Sequence, residues 1–279
     1  MIFNNHTASL AVCLLCFACA AHAQTAAPSE PVTPPAQALT GNVALVSDYR
    51  FRGVSQSYGQ PAMQGRFDFT HGSGLYLGNW NSSVSSNSYN NGAGLEVDLY
   101  GGYRFPLTKE LRGDVGVLHY MYPGAKLNSA PATPTSNKYD NTEIYFGLTQ
   151  GAFNVKLSYA ITDYFGLNST TAGYAYFNAL PARGSSRGTT YLDLNYNVDL
   201  GSQITLGLHA GLTSVRRYNE LSYTDYKLSL AKEFSGATLN LALVGTNASS
   251  ALYQVTDSAG AHPKRLAKTA VVIAVSKAF

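Results

Sequence analysis

Cysteine occurs at three positions only, Cys13, Cys16 and Cys19. Beyond them the chain has none, which excludes disulfides, cysteine-held metals and a cysteine nucleophile from the rest of it. Charge is also scarce. Asp, Glu, Lys and Arg make up 13% of the 279 residues, about half the usual share. The net charge of +3 is too small a field to suggest a nucleic-acid partner. No apolar run after residue 23 reaches the length of a transmembrane helix. Histidine-rich metal spacing and hydrolase signatures are missing too, so neither a metal nor an organic cofactor is expected.

What is plentiful is tyrosine (20) and glycine (26). The chain opens with MIFNNHTA, the apolar run SLAVCLLCFACA and then AHA before Gln24. An apolar core of this length ending in a small-x-small tripeptide reads as a secretory signal peptide, residues 1–23. Its first residues lack Lys and Arg. A lipid-modified Cys19 is the alternative, in the poor context Phe17-Ala18. Residues 24–40, rich in Pro and Ala, read as a disordered lead-in.

From residue 41 apolar and polar residues alternate almost without pause. Twelve segments carry this period of two: 42–52, 62–70, 75–84, 94–105, 112–122, 141–149, 152–163, 189–200, 203–214, 223–234, 237–247 and 268–279. The fourth is the cleanest, with Leu95, Val97, Leu99, Tyr103 and Phe105 against Glu96, Asp98, Tyr100 and Arg104. The third loses phase near Trp80, where a bulge is expected, and the fifth is blurred. Strands of about ten tilted residues cross a bilayer, and an even count returns both ends to one side. Connections alternate between short (HGSG, Gln150-Gly151, FSG) and long (123–140, 164–188, 248–267). This is the pattern of an all-β, antiparallel up-and-down transmembrane barrel of the bacterial outer-membrane type over residues 41–279. A soluble periplasmic β protein is the rival fold.

In SDYRFRG, Ser47–Gly53, charges and rings alternate one by one. As part of a first strand running to residue 52, Tyr49 and Phe51 would join an outer aromatic girdle. Asp48, Arg50 and Arg52 would then face the lumen. The chain ends TAVVIAVSKAF, and the terminal Phe279 looks like the signal read by the barrel-insertion machinery.

The run Gly41 to Val84 resembles the N-terminal signature of the Gcw_chp family of proteobacterial exported proteins. The residues that carry the resemblance are Ser47–Gly53, Gln56, Pro61-Ala62, Gln64-Gly65 and Phe67-Asp68, with EVDLYGGYRF and the terminal SKAF later on. The resemblance implies an outer-membrane-like β protein and no established activity.

Eight charged residues are expected to point inward: Asp48, Arg50, Arg52, Arg66, Asp68, Glu96, Asp98 and Arg104. They form either cross-strand ion pairs that fill a narrow lumen or a charged constriction for small polar or charged solutes. Tyr100, Tyr145 and Tyr191 would add an inward wall that is either packing or a stacking surface. His71, His119, His209 and His262 match no catalytic pattern, so no catalytic residue is assigned. Asp140, Glu143 and Asp163 near the outer rim could suit a barrel protease or be ordinary rim solvation. The leading expectation is an outer-membrane channel with lipid and small solutes as partners. A structural or adhesive barrel with a filled lumen is the second reading, and a barrel hydrolase the third.

Overall fold

A computed structural model describes residues 38–88, 93–129, 133–173, 180–256 and 263–279. The expected signal peptide, most of the lead-in, and His262 lie outside the described residues. Twelve strands form the barrel: β1 (Ala38–Val46), β2 (Ala62–Thr70), β3 (Leu75–Ser83), β4 (Leu95–Pro106), β5 (Leu111–Met121), β6 (Asn141–Gln150), β7 (Phe153–Ala160), β8 (Thr190–Asp199), β9 (Ile204–Ser214), β10 (Tyr223–Phe234), β11 (Ala237–Thr246) and β12 (Ala270–Ala278). Each pairs antiparallel with its neighbour in sequence, and β1 pairs with β12 to close the sheet. Closure leaves no open edge. Among the described residues no helix is long and apolar enough to cross a membrane.

The closing seam is held by reciprocal bonds, Gly41 N–H to the Phe279 carbonyl and Phe279 N–H to the Gly41 carbonyl, both 2.9 Å. The Phe279 ring lies over Gly41, where a Cβ would sit 2.7 Å from it, and packs edge-on against Phe67. Gly41 is therefore what lets the last residue cover the seam.

The period of two fixes which face is which. Leu45, Leu77, Leu99, Leu208, Leu228 and Ile273 are among a continuous set of exposed outward side chains. Most of their inward neighbours are polar, small or tyrosine, with a few buried valines such as Val46 and Val272. Short turns close one end. One of the two two-residue turns joins β10 to β11 through Ser235 and Gly236, both at positive φ (48° and 81°), the geometry that matches the twist of a two-residue hairpin. The other end carries all the long connections.

Three expectations need correcting. The first strand stops at Val46, not at residue 52. Tyr49 and Phe51 are 0% and 6% exposed and so belong to no outer girdle. The expected bulge at Trp80 is absent, because β3 pairs in unbroken register on both sides. The phase loss in the sequence has a simple cause. Asn79 and Asn81 face outward, where they hydrogen-bond each other, while Trp80 turns inward onto Tyr49. The blurred fifth segment is regular too. Its inward face mixes Asp114 and Gly116 with the buried apolar Leu118 and Tyr120, which hides the alternation.

Candidate functional site

Beyond Val46 the chain remains tied to β12, with Ser47 N–H bonded to the Ile273 carbonyl at 2.8 Å, and then folds into the barrel. Arg50–Phe51 pairs with Val54–Ser55 as a miniature hairpin. Arg52 (φ 46°) and Gly53 (φ 81°) form its tip. Asp48 is its hub. One carboxylate oxygen accepts from the Ser55 and Ser57 hydroxyls at 2.6 and 3.1 Å, the other from Arg50 Nε at 2.7 Å. Arg50 also donates to the Gly53 carbonyl at 3.0 Å and to the Lys268 carbonyl at 2.5 Å. Asp48 and Arg50 thus clip the hairpin to itself and to the loop before β12. Both are buried in doing so, at 6% and 2% exposed.

Arg52 reaches furthest. Its Nη2 lies 3.0 and 2.8 Å from the two carboxylate oxygens of Glu143 on β6, five strands round the wall from β1. Its Nη1 donates to the Tyr164 hydroxyl at 3.0 Å, and the guanidinium stacks 4.0 Å from the centre of the Tyr191 ring. Glu143 takes further bonds from Asn141 and Tyr120. Burial works against the Arg52 charge, but the Glu143 carboxylate together with the Tyr164, Tyr120 and Tyr191 phenols outweighs it and holds the guanidinium well above its ordinary pKa. Burial likewise pushes the Tyr164 phenol up. The tip glycine is pressed against β10 and β11, where a Cβ would lie 3.0 Å from both Asp225 Cβ and the Gly245 carbonyl. The hairpin therefore crosses the outer half of the lumen.

An aromatic core surrounds it. Tyr49 packs on Trp80 with ring centres 5.2 Å apart, and Phe51 meets Tyr120 and Phe165 edge-on at 5.5 and 5.8 Å. Phe165 comes from the loop between β7 and β8. A cavity here is lined by Phe51, Val54, Tyr164, Phe165, Tyr223 and Leu266, among others, and holds about 50 Å³, room for a few waters. Glu96 and Asp98 point inward from β4 at this level and are fully enclosed.

Towards the short-turn end the interior changes character. Arg66 pairs with Asp68 at 2.9 Å, and the Tyr100 hydroxyl donates to Asp68 at 2.5 Å. Tyr76 donates to Asp114 at 2.6 Å and also meets the Tyr145 hydroxyl. Arg104 lies 3.5 Å from Asp114 and stacks on the Tyr76 ring. Side-chain exposure separates the two halves. Arg104 is 46% exposed and Arg66 26%, against 3% for Arg52. The lower interior is wide enough to admit solvent, and the upper half is packed.

A second polar wall runs over β7–β10. His209 sits between two carboxylates, its Nδ1 3.1 Å from Asp193 and its Nε2 2.7 Å from Asp225. Lys156 approaches Asp193 at 3.9 Å, and Tyr191 bonds both His209 and Asp225. The inward tyrosines share a device. Tyr100 lies over Gly78, Tyr76 over Gly102 and Tyr145 over Gly116, each its register partner, and Tyr191 lies over Gly211. A methyl group on any of these glycines would overlap the ring. The rings are thus laid against the wall instead of projecting into the lumen.

Of the eight residues singled out in the sequence, Arg66, Asp68, Glu96, Asp98 and Arg104 do point inward from strands. Asp48, Arg50 and Arg52 also lie inside, but on the inserted hairpin and not on the wall, because the chain leaves the sheet at Ser47. The expected rim trio is dispersed: Glu143 serves Arg52, Asp140 lies 3.9 Å from Lys138, and Asp163 accepts from Ser185 and Asn168. His71 lies in the β2–β3 turn and bonds Ser73. His119 faces outward and bonds Thr142. Among the described residues no group of three or more His, Cys, Asp or Glu is placed to hold a metal. The sequence reading passed over Asp114, Lys156, Asp193 and Asp225 as functional candidates. Their inward parity was the available signal.

A family model described as a bacterial protein of unknown function, Gcw_chp, matches residues 26–279. No curated protein sequence matches the chain. Among solved structures the chain is similar to the KdgM porin, at 9% identity over 86% of this chain and 99% of that one with a TM-score of 0.48. It is also similar to that porin in complex with disordered oligogalacturonate (9% identity, 87% and 99% covered, TM-score 0.47) and to the NanC porin (14% identity, 87% and 99% covered, TM-score 0.47).

Proposed function

The chain belongs to the Gcw_chp family of bacterial proteins of unknown function, and we propose that it is an outer-membrane channel for small polar or charged solutes, closed at its outer mouth by the hairpin of residues 47–61. The exposed apolar belt supports the membrane. Soluble proteins rarely expose apolar patches beyond a few hundred Å², and here the belt includes outward side chains of all twelve strands. Hydrocarbon covers such a surface without leaving polar groups unsatisfied, since the closed sheet pairs its own backbone.

The observation that carries the channel reading is the contrast between the two halves of the lumen. The lower half is lined by solvent-exposed charges held in pairs, the arrangement expected of a wall that strips and guides small polar solutes. The upper half is blocked by one hairpin whose link across the lumen to the β6 wall is a single ion pair, Arg52–Glu143. A blockage of that kind acts as a gate. Liposome-swelling assays test the reading. Uptake of small sugars, amino acids or ions by proteoliposomes, accelerated when the latch is weakened, is expected.

A structural or loop-binding barrel is the second reading. The specific observation behind it is the aromatic core joining the hairpin to the outer loops. Proteoliposomes impermeable to all of these solutes, with and without the latch, would favour it.

A further inference from the structure

Four arginines gather at one place on the outer rim: Arg183 and Arg187 in the connection from β7 to β8, and Arg216 and Arg217 in that from β9 to β10. All are exposed. Arg183 is paired with Glu220 at 2.7 Å. The other three make no ion pair among the described residues. Asp163, in the same connection as Arg187, is taken up by the Ser185 hydroxyl, the Asn168 amide and the Arg187 backbone N–H.

The backbone cradles these side chains. Arg216 Nη1 donates to the Arg187 carbonyl at 3.0 Å and Arg217 Nη1 to the Ser185 carbonyl at 3.4 Å. Gly184 and Gly188 lie directly beneath them: a Cβ would come within 2.6 Å of Arg217 Nη1 and 3.0 Å of Arg216 Nη1. Both glycines sit at positive φ (99° and 95°), and their bare backbone leaves room for the guanidiniums to lie against the chain. Each then keeps N–H donors directed away from the carbonyl it holds.

The height of the cluster identifies the ligand. On β9 the outward series runs Leu208, Leu212, Ser214 and, by the same alternation, Arg216. Leu208 and Leu212 are in the exposed apolar belt. β9 ends at Ser214; two residues of tilted strand and the two that follow carry Arg216 up to about 10 Å above Leu212, on the order of the distance from acyl chains to headgroups. The outward Tyr159, on β7 and so two strands away, comes close to the same place: its hydroxyl is 3.0 Å from where a Cβ of Gly188 would be, as for a residue of an interfacial belt.

We propose that Arg187, Arg216 and Arg217 form a binding site for the phosphate groups of a phosphorylated outer-leaflet lipid. The proposal rests on the membrane placement argued above. Guanidinium pairs with phosphate by paired N–H donors, and a basic cluster at headgroup depth draws anionic lipid. A soluble phosphate compound would have no reason to be met at the top of a lipid-facing stripe.

The test uses the full refolded barrel in phosphatidylcholine bicelles, titrated with bisphosphorylated lipid A, enzymatically dephosphorylated lipid A and inorganic phosphate. Each arginine is expected to contribute roughly fivefold in affinity, so Arg187→Gln/Arg216→Gln/Arg217→Gln should lose roughly a hundredfold for the phosphorylated lipid only. Lys264→Gln/Arg265→Gln, which removes charge elsewhere on the rim, should bind as wild type does. Arg216→Gln alone should lose roughly fivefold, and serves if the triple variant does not refold. Equal affinity for dephosphorylated lipid A, an unaffected triple variant, or inorganic phosphate binding as tightly as the lipid would each overturn the site. A wild type that fails to enter bicelles at all would instead overturn the membrane placement, and the site with it.

Discussion

Arg52 and Glu143 meet across the lumen as a two-pronged ion pair, with both partners 3% exposed. A pair this deep holds its position because either charge left alone would be stranded without solvent. Replacing one partner, as in Glu143→Gln, is expected to cost about 3–5 kcal/mol of local stability. Amide hydrogen exchange reads the loss most directly. Faster exchange should be confined to residues 49–57, with β2–β11 keeping wild-type protection. Uniformly faster exchange throughout the barrel would mean that the pair holds the wall, not the hairpin.

The Asp48 hub has an optical reporter. Trp80 is the only tryptophan in the chain, and its ring packs on Tyr49 one residue from Asp48. Asp48→Ala strips the acceptor from two serines and Arg50, each bond worth about 1–3 kcal/mol when a buried partner is orphaned. Trp80 emission should shift to longer wavelength as the hairpin loosens and water enters. An unchanged spectrum in Asp48→Ala would show that the hairpin stands without its hub.

The tyrosine-over-glycine contacts predict an asymmetry. Gly78→Ala places a methyl group inside the Tyr100 ring, and overpacking of this kind costs about 1–3 kcal/mol. Adding Tyr100→Ala should recover part of that loss, giving a coupling that a double-mutant cycle in urea detects. Strictly additive losses would mean that ring and glycine do not bear on one another.

The outer belt predicts the effect of charge by face. Leu228 is 48% exposed at the middle of β10, so Leu228→Arg should destabilise the barrel in lipid by about 2–4 kcal/mol. Lys227→Arg, one residue away and turned inward, should be nearly neutral. Refolding titrations in vesicles measure both, and equal penalties would contradict the assignment of faces.

Much of this architecture could be read in the amino-acid sequence, because a closed membrane sheet imposes one rule on every strand. Leu95 to Phe105 obeys it without exception, and so do Ile204 to Leu212 and Tyr226 to Leu230. The opening stretch misled for a physical reason. Alternation reports extended backbone with unlike faces, and the arms of the Arg50–Ser55 hairpin are also extended. Inside the barrel, Phe51 finds rings on one side while Asp48 finds hydroxyls on the other, so the pattern runs on past the point where the chain leaves the wall. Gly53 was the available sign of a turn. The partners of Arg52 were beyond reach, since Glu143 and Tyr191 lie far away in sequence and only barrel closure brings them together. Arg66, Asp68 and Arg104 were legible because they sit on wall strands whose alternation alone decides which way each residue points.

The central claim is that a membrane channel is held shut by one hairpin. Single-channel recording in planar bilayers tests it most directly, comparing the wild type with Arg52→Ala. The account predicts rare, brief openings in the wild type and frequent, longer openings of larger conductance in the variant. Bilayers that stay silent with both proteins, or identical traces from the two, would contradict it.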